Sequence, residues 1–195
     1  METPKFYNKP NAHVIFYYES SFGSKVKHDY WISRAPALVG VIFMIHPDGL
    51  HVLIIKRSDI MDEPNKYAAP SGYLDWNETG YEGITREIYE ETSFYLPEYE
   101  KFCVFDNNKE SFFTQTDYKV DKKQNVSLYY ILTYNFTKDV DKFPKFIENY
   151  HCNETSEVKL MPMKEFYNNQ LDWAFHHDER IKQALEYFNK NYKEK

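Results

Sequence analysis

The chain has 195 residues, enough for one domain with an extension and a sizeable buried core. Its 24 Lys and Arg against 30 Asp and Glu leave a formal net charge of −6, which argues against broad, non-specific binding to nucleic acid. No run of about 18 apolar residues occurs, and the opening METPKFYNKPNAH lacks an apolar signal core, so the expectation is a soluble cytoplasmic protein with no membrane partner.

Residues 1–35 read as an N-terminal extension. Beyond an irregular lead-in with two prolines, His13–Tyr18 (HVIFYY) and Lys27–Ser33 read as strands on either side of the turn ESSFGSK. This is a β-hairpin expected to pack on the domain, where it would cover a sheet edge or serve a homodimer. Residues 36–195 read as the main domain. Ala37–Ile45 (ALVGVIFMI) is a near-continuous β-branched and aromatic run, as in a strand buried on both faces. His46-Pro47-Asp48-Gly49 is turn chemistry, Leu50–Lys56 is the next strand, and Arg57 and Ser58 end it. Residues 59–69 form a loop.

Thr79 followed by Glu82 makes a capping box, which starts a helix near Gly80. It runs to Thr92, about 13 residues or about 20 Å. Phe102–Phe105 is a short strand carrying Cys103; neither it nor Cys152 has metal-ligand spacing, and both are expected as reduced thiols. Asn107–Gln124 is a polar loop with aromatics at Phe112, Phe113 and Tyr118. Val126–Phe136 reads as a central strand and Glu157–Met161 as the last one. A short helix opens at Pro162–Phe166, and Asp178–Tyr192 is amphipathic, with Ile181, Leu185 and Phe188 on one stripe. Interleaved strands and helices without an internal repeat indicate an α/β or α+β sandwich.

The chemistry concentrates in the helix that starts near Gly80. Glu87, Glu90 and Glu91 stand at i, i+3 and i+4 and share one face. Tyr81, Ile84 and Ile88 fall on a neighbouring, core-facing side. Like charges this close repel, and a hard divalent cation held by carboxylate oxygens removes that cost, which suits Mg²⁺ or Mn²⁺. Arg86 lies four residues from both Glu82 and Glu90, a spacing that lets it orient carboxylates.

The spacing extends beyond the helix. Gly72, five residues, Glu78, seven residues, Arg86-Glu87-Ile88, one residue, Glu90-Glu91, and then an apolar Phe94 after Ser93 resemble the signature of the Nudix hydrolases. A solvated acidic helix face explains the charge run but not Gly72, Glu78 and Arg86 at these distances. Ser93 stands where the family has glycine, and Ser71 where it generally has a second one. Serine reaches the left-handed conformation only at a steric cost, so the helix is expected to end a little differently, with Leu96-Pro97 blocking continuation.

The resemblance covers about residues 36–190 and implies an α/β/α sandwich with a central mixed β-sheet. It implies metal binding by Glu87, Glu90 and Glu91 with the Gly72 carbonyl, and a bracing role for Glu78. It implies hydrolysis of phosphoanhydrides in a nucleotide substrate, a nucleoside diphosphate linked to another moiety such as ADP-ribose or NADH. The general base is Glu87 or a carboxylate on a later loop, for which Glu154 and Glu157 are the candidates. Arg57 ends a strand close to the site of this fold and is a candidate phosphate contact. Trp76, Phe112, Phe113, Tyr118 and Tyr129 are candidates for stacking on a base. The adjacent His176 and His177 point apart and are expected to be structural or solvent-facing. Markers of the ADP-ribose, NADH and dinucleoside polyphosphate subclasses are missing downstream of the signature. A regulator that senses a nucleotide without cleaving it and an enzyme acting on capped RNA ends are the alternatives.

Overall fold

β3, Ala37–His46, is the strand from which the domain is built, and its apolar run leaves Leu38 to Met44 buried. In the computed structural model, residues 13–31, 36–116, 126–144, 153–168 and 170–192 are described. The chain divides into two units, Met1–Arg34 and Ala35–Lys195. In the first, β1 (His13–Glu19) pairs antiparallel with β2 (Lys25–Trp31) from His13↔Trp31 to Glu19↔Lys25, the expected hairpin.

In the second unit, the sheet runs β10–β4–β3–β9–β7, where β4 is Gly49–Arg57, β7 Cys103–Phe105, β9 Ser127–Asn135 and β10 Thr155–Pro162. β3 and β9 are parallel from Ala37↔Ser127 to Ile45↔Asn135, while β4 and β10 are antiparallel to their neighbours, so the sheet is mixed. Side chains alternate across it. Leu38, Ile42 and Met44 pack with Ile84 and Ile88 of α1 (Gly80–Thr92) on one face. Val41 and Phe43 pack on the other with Phe166 of α2 (Met163–Asn168) and with Ile181, Ala184 and Phe188 of α3 (His177–Asn191). The α/β sandwich follows from that alternation.

β3 and β4 pair only from Phe43↔Val52 to His46↔Gly49 and then separate. The gap is lined by short strands: β5 (Tyr67–Ala68) pairs with β4, and β6 (Ser71–Tyr73) pairs with β3. Between them, the Gly40 amide donates to the Pro70 carbonyl at 2.9 Å. Neither strand is visible as a hydrophobic pattern, because two or three residues cannot display a period. β8 (Phe113–Gln115), paired with β9, lies inside the segment expected to be loop. Phe102 closes a 3₁₀ helix, Leu96–Phe102, where the sequence predicts the start of a strand.

α1 has the expected limits. Thr79 caps it in a reciprocal box with Glu82, and Gly83 lets it approach β3: a Cβ there would lie 2.5 Å from the Leu38 side chain. At the other end the expectation needs correction. Ser93 takes the left-handed conformation after all (φ 59°, ψ 13°), and its amide donates to the Tyr89 carbonyl at 2.8 Å. The helix therefore ends as it would on a glycine, and the serine carries the steric cost. No helix among the described residues is long and apolar enough to cross a membrane.

Candidate active site

Where β3 and β4 part, a cavity of about 650 Å³ opens. Gly72, Arg86, Glu87, Glu90 and Glu91 line it, together with Arg57 from the end of β4 and Glu154 from just before β10. Sequence spacing therefore finds one wall, and the return of the chain at β10 brings Glu154 to the other. Glu157 lies instead along a separate groove, where its carboxylate accepts from the Tyr67 hydroxyl at 3.3 Å.

Arg86 organises the acidic wall. Its Nε and Nη2 donate to the two Glu78 oxygens at 3.1 and 2.8 Å, a two-pronged clamp. Nη1 donates to Glu87 at 2.7 Å and Glu90 at 3.0 Å, and Nη2 also reaches the Tyr73 carbonyl at 3.0 Å. Of the two carboxylates four residues away, only Glu90 pairs with it, because Glu82 is engaged in the helix cap. Glu78 also accepts from the Asp75 amide at 2.7 Å, tying the loop to the helix. The Arg86 hydrogen bonds hold the Glu78 carboxyl below its ordinary range and push the guanidinium upward.

Two carboxylates of the site are deeply placed. Glu87 is 7% exposed and lies so close to Gly72 that a Cβ on residue 72 would come within 2.1 Å of its carboxyl carbon. That close approach accounts for the glycine. Glu91 is 2% exposed and accepts from the Ser71 amide at 2.8 Å. Burial pushes both carboxyls above their ordinary range, Glu91 well above it; Arg86 opposes the shift at Glu87, and the Ser71 amide and Arg57 oppose it at Glu91.

Among the described residues, no three acidic, histidine or cysteine side chains converge into a ready-made metal cage. Glu87 and Glu90 turn toward Arg86, and Glu91 toward the Ser71 amide. The donor set nevertheless suits a hard cation: carboxylate oxygens from four glutamates border one cavity, and burial disfavours the two buried ones as anions even with Arg86 and Arg57 opposing the shift.

The remaining candidates divide. Arg57 is buried at the cavity, with Nε donating to the Asp62 carbonyl at 2.7 Å and its guanidinium 5.0 Å from the Phe175 ring. Tyr129 lines the cavity. Trp76 is 93% exposed and outside the cavity lining. Phe112 is also outside it, packed against Tyr187 at 5.3 Å. Phe113 packs on Tyr129 at 5.7 Å, and Tyr118 lies outside the described residues. Cys103 is a half-buried free thiol that burial pushes up to about 11, and Cys152 lies outside the described residues. His176 is exposed; His177 is buried yet lines the cavity with Phe175, which spacing does not reveal.

The family model of the NUDIX domain matches residues 35–184. The chain belongs to the Nudix family. It is a hydrolase of pyrophosphate bonds, a class that generally uses divalent metals. No curated protein matches the chain. Among solved structures, the NUDIX domain of Shewanella oneidensis NrtR complexed with ADP ribose is similar, with TM-score 0.58 and 20% identity over 80% of this chain and 90% of that one. A bifunctional NMN adenylyltransferase/ADP ribose pyrophosphatase from Francisella tularensis, complexed with AMP and a Mn ion, has TM-score 0.58 and 18% identity over 80% of this chain and 42% of its own. A C. elegans Ap4A hydrolase has TM-score 0.53 and 14% identity, covering 79% and 96% of the two chains. At these identities the likeness is one of fold.

Proposed function

We propose that this Nudix hydrolase is a divalent-metal-dependent pyrophosphohydrolase that cleaves a nucleoside diphosphate linked to another moiety. The products are a nucleoside monophosphate and the phosphorylated remainder. The observation that carries the reading is that buried Glu87 and Glu91 border the same cavity as Glu90, Glu154 and Arg57. Its volume, about 650 Å³, suits a nucleotide-sized ligand.

Glu87, Glu90 and Glu91, with the Gly72 carbonyl, would hold Mg²⁺ or Mn²⁺. Such an ion, when bound, offsets the phosphate charge and makes a coordinated water a stronger acid. Arg86 acts through the carboxylates it clamps, holding Glu87 and Glu90 in orientation and Glu78 against the loop. Glu154, exposed at the cavity, and Glu87 are the carboxylates that could take a proton from the attacking water. Arg57 is suited to a phosphate oxygen, and Tyr129 and Phe175 offer the aromatic surface that Trp76 and Phe112 do not. The ADP-ribose bound by one structural neighbour and the AMP and Mn bound by another support this class of ligand.

The test is a panel of ADP-ribose, NADH, dinucleoside polyphosphates, nucleoside triphosphates and capped RNA, with Mg²⁺, with Mn²⁺ and with chelator. Phosphorylated products should appear from at least one nucleotide and vanish with chelation. Tight binding of one member without turnover of any would identify a sensor instead. Turnover that survives chelation would overturn the metal assignment.

A further inference from the structure

α3 enters the cavity through an unusual piece of backbone. Phe175 and His176 both have positive φ, 52° and 57°, in the left-handed region that non-glycine residues rarely occupy. The result is that His177, only 3% exposed, reaches the cavity lining. Its Nδ1 accepts from the Ala69 amide at 3.1 Å. An imidazole that accepts at Nδ1 carries its proton on Nε2, so the remaining ring atom is a donor. Among the described residues that donor has no acceptor, and Nε2 is open to the cavity rather than sealed in protein. A polar group kept this deep without a partner is a hydrogen bond held in reserve.

The surroundings indicate the chemistry of the missing acceptor. The Phe175 ring lies 5.8 Å from His177 and 5.0 Å from the Arg57 guanidinium, so the three side chains form one cluster. Arg57 is 6% exposed, and beyond its Nε bond to Asp62 its terminal amino groups have no acceptor among the described residues. The carboxylates of Glu91, Asp62 and Glu154 temper its charge through space without hydrogen-bonding to its terminal amino groups. A buried guanidinium with free forks is matched by an anionic oxygen and not by a nucleobase or an aliphatic group. Burial, with Arg57 and Arg180 nearby, pushes the His177 imidazole down to about 3, so it stays a neutral donor.

We propose that His177, through Nε2–H and beside Arg57, binds a non-bridging phosphate oxygen of the substrate. This substrate contact rests on the pyrophosphohydrolase reading and adds a residue from α3 to a site otherwise built by α1, the strands and the loops beside them. A neutral donor suits the position because it adds a bond to phosphate without burying a further charge.

The 195-residue chain, labelled with ¹⁵N and kept in Mg²⁺, is titrated with methylenediphosphonate and separately with adenosine while the imidazole resonances are followed. The His177 Nε2 resonance should move with the diphosphonate and not with adenosine. His177→Asn can retain the Ala69 bond through its side-chain oxygen but loses the donor that reaches the cavity. It should bind the diphosphonate about tenfold more weakly and raise KM for a hydrolysed nucleotide by a similar factor, with kcat changed much less. No movement with the diphosphonate, movement with adenosine alone, or wild-type affinity in the variant would overturn the proposal. If the variant fails to fold, the wild-type titration decides alone. Turnover of nucleotides without the diphosphonate shift overturns this contact and leaves the enzyme reading standing. The shift without turnover does the reverse.

Discussion

Glu91 and His177 come to one cavity from helices on opposite faces of the sheet, and nearby amides of one short segment hold them both. The Ser71 amide fixes Glu91, and the Ala69 amide fixes His177. Pro70, between them, points its carbonyl the other way, to Gly40 of β3. Alternate residues of an extended chain face the same edge, so the segment that fills the gap between β3 and β4 offers its free amides to that gap. The splay of the sheet thus creates both the cavity and the means of holding its side chains.

Glu91 is the residue whose replacement best separates function from folding. Its carboxylate is buried and disfavoured as an anion, so Glu91→Gln removes an electrostatic burden while one amide atom can still accept from Ser71. The variant should melt at or above the wild-type temperature. If Glu91 is a metal ligand, kcat/KM should fall at least about 100-fold. A variant of unchanged activity would remove Glu91 from the metal set.

Arg86 should behave in the opposite way. It serves Glu78, Glu87, Glu90 and the Tyr73 carbonyl together, and Glu87 is buried. Arg86→Ala should cost about 2 kcal/mol in urea denaturation, below the range for fully buried pairs because the arginine side chain is 28% exposed. Arg86→Lys keeps the charge but cannot hold both Glu78 oxygens and Glu87 at once, so its stability should fall between the alanine variant and the wild type. An Arg86→Lys variant as stable as the wild type would show that charge alone matters here.

Ser93→Gly should stabilise the chain by about 0.5–1 kcal/mol, because the left-handed cap is already formed and only the serine Cβ opposes it. Ser93 is exposed and outside the cavity lining, so activity should not change. A lower melting temperature for the glycine variant would mean that the serine carries no strain.

The legibility of this chain follows from the range of its interactions. α1 is readable to its ends because capping box, apolar face and acidic face all lie within residues 79–92. Glu78, Arg86 and the three helix glutamates meet through local spacing, and Gly72 meets Glu87 in the same stretch. β3, β4 and β9 declare themselves by composition. β5 and β6 do not, because they exist only to fill the gap that β4 leaves. Phe175 and His177 lie over eighty residues beyond the signature, and topology alone brings them to it. Adjacency predicts that the two histidines point apart, which is how they stand; nothing local marks the buried one as cavity-facing.

The acid limb of the stability profile should carry the mark of His177. In the folded chain its imidazole is pushed down to about 3, by burial first and then by Arg57 and Arg180, against an ordinary value of 6.5. The unfolded chain therefore binds the proton first as pH falls. The stabilisation is complete above 6.5 and is lost progressively as pH drops toward the folded value, at up to about 1.4 kcal/mol per pH unit. Glu87 and Glu91 act in the other direction: their carboxyls are raised in the fold, so acid protonates them there first and favours the folded state. The wild-type profile sums these opposed slopes and would hide either one. His177→Asn removes only the imidazole, so the informative quantity is the difference between variant and wild type in urea unfolding from about pH 7.5 to about pH 5. That difference should be constant above about 6.5 and then shift steadily in favour of the variant. Parallel profiles across the whole range would mean that His177 is protonated as readily in the fold as out of it, and so is not held neutral below its ordinary value.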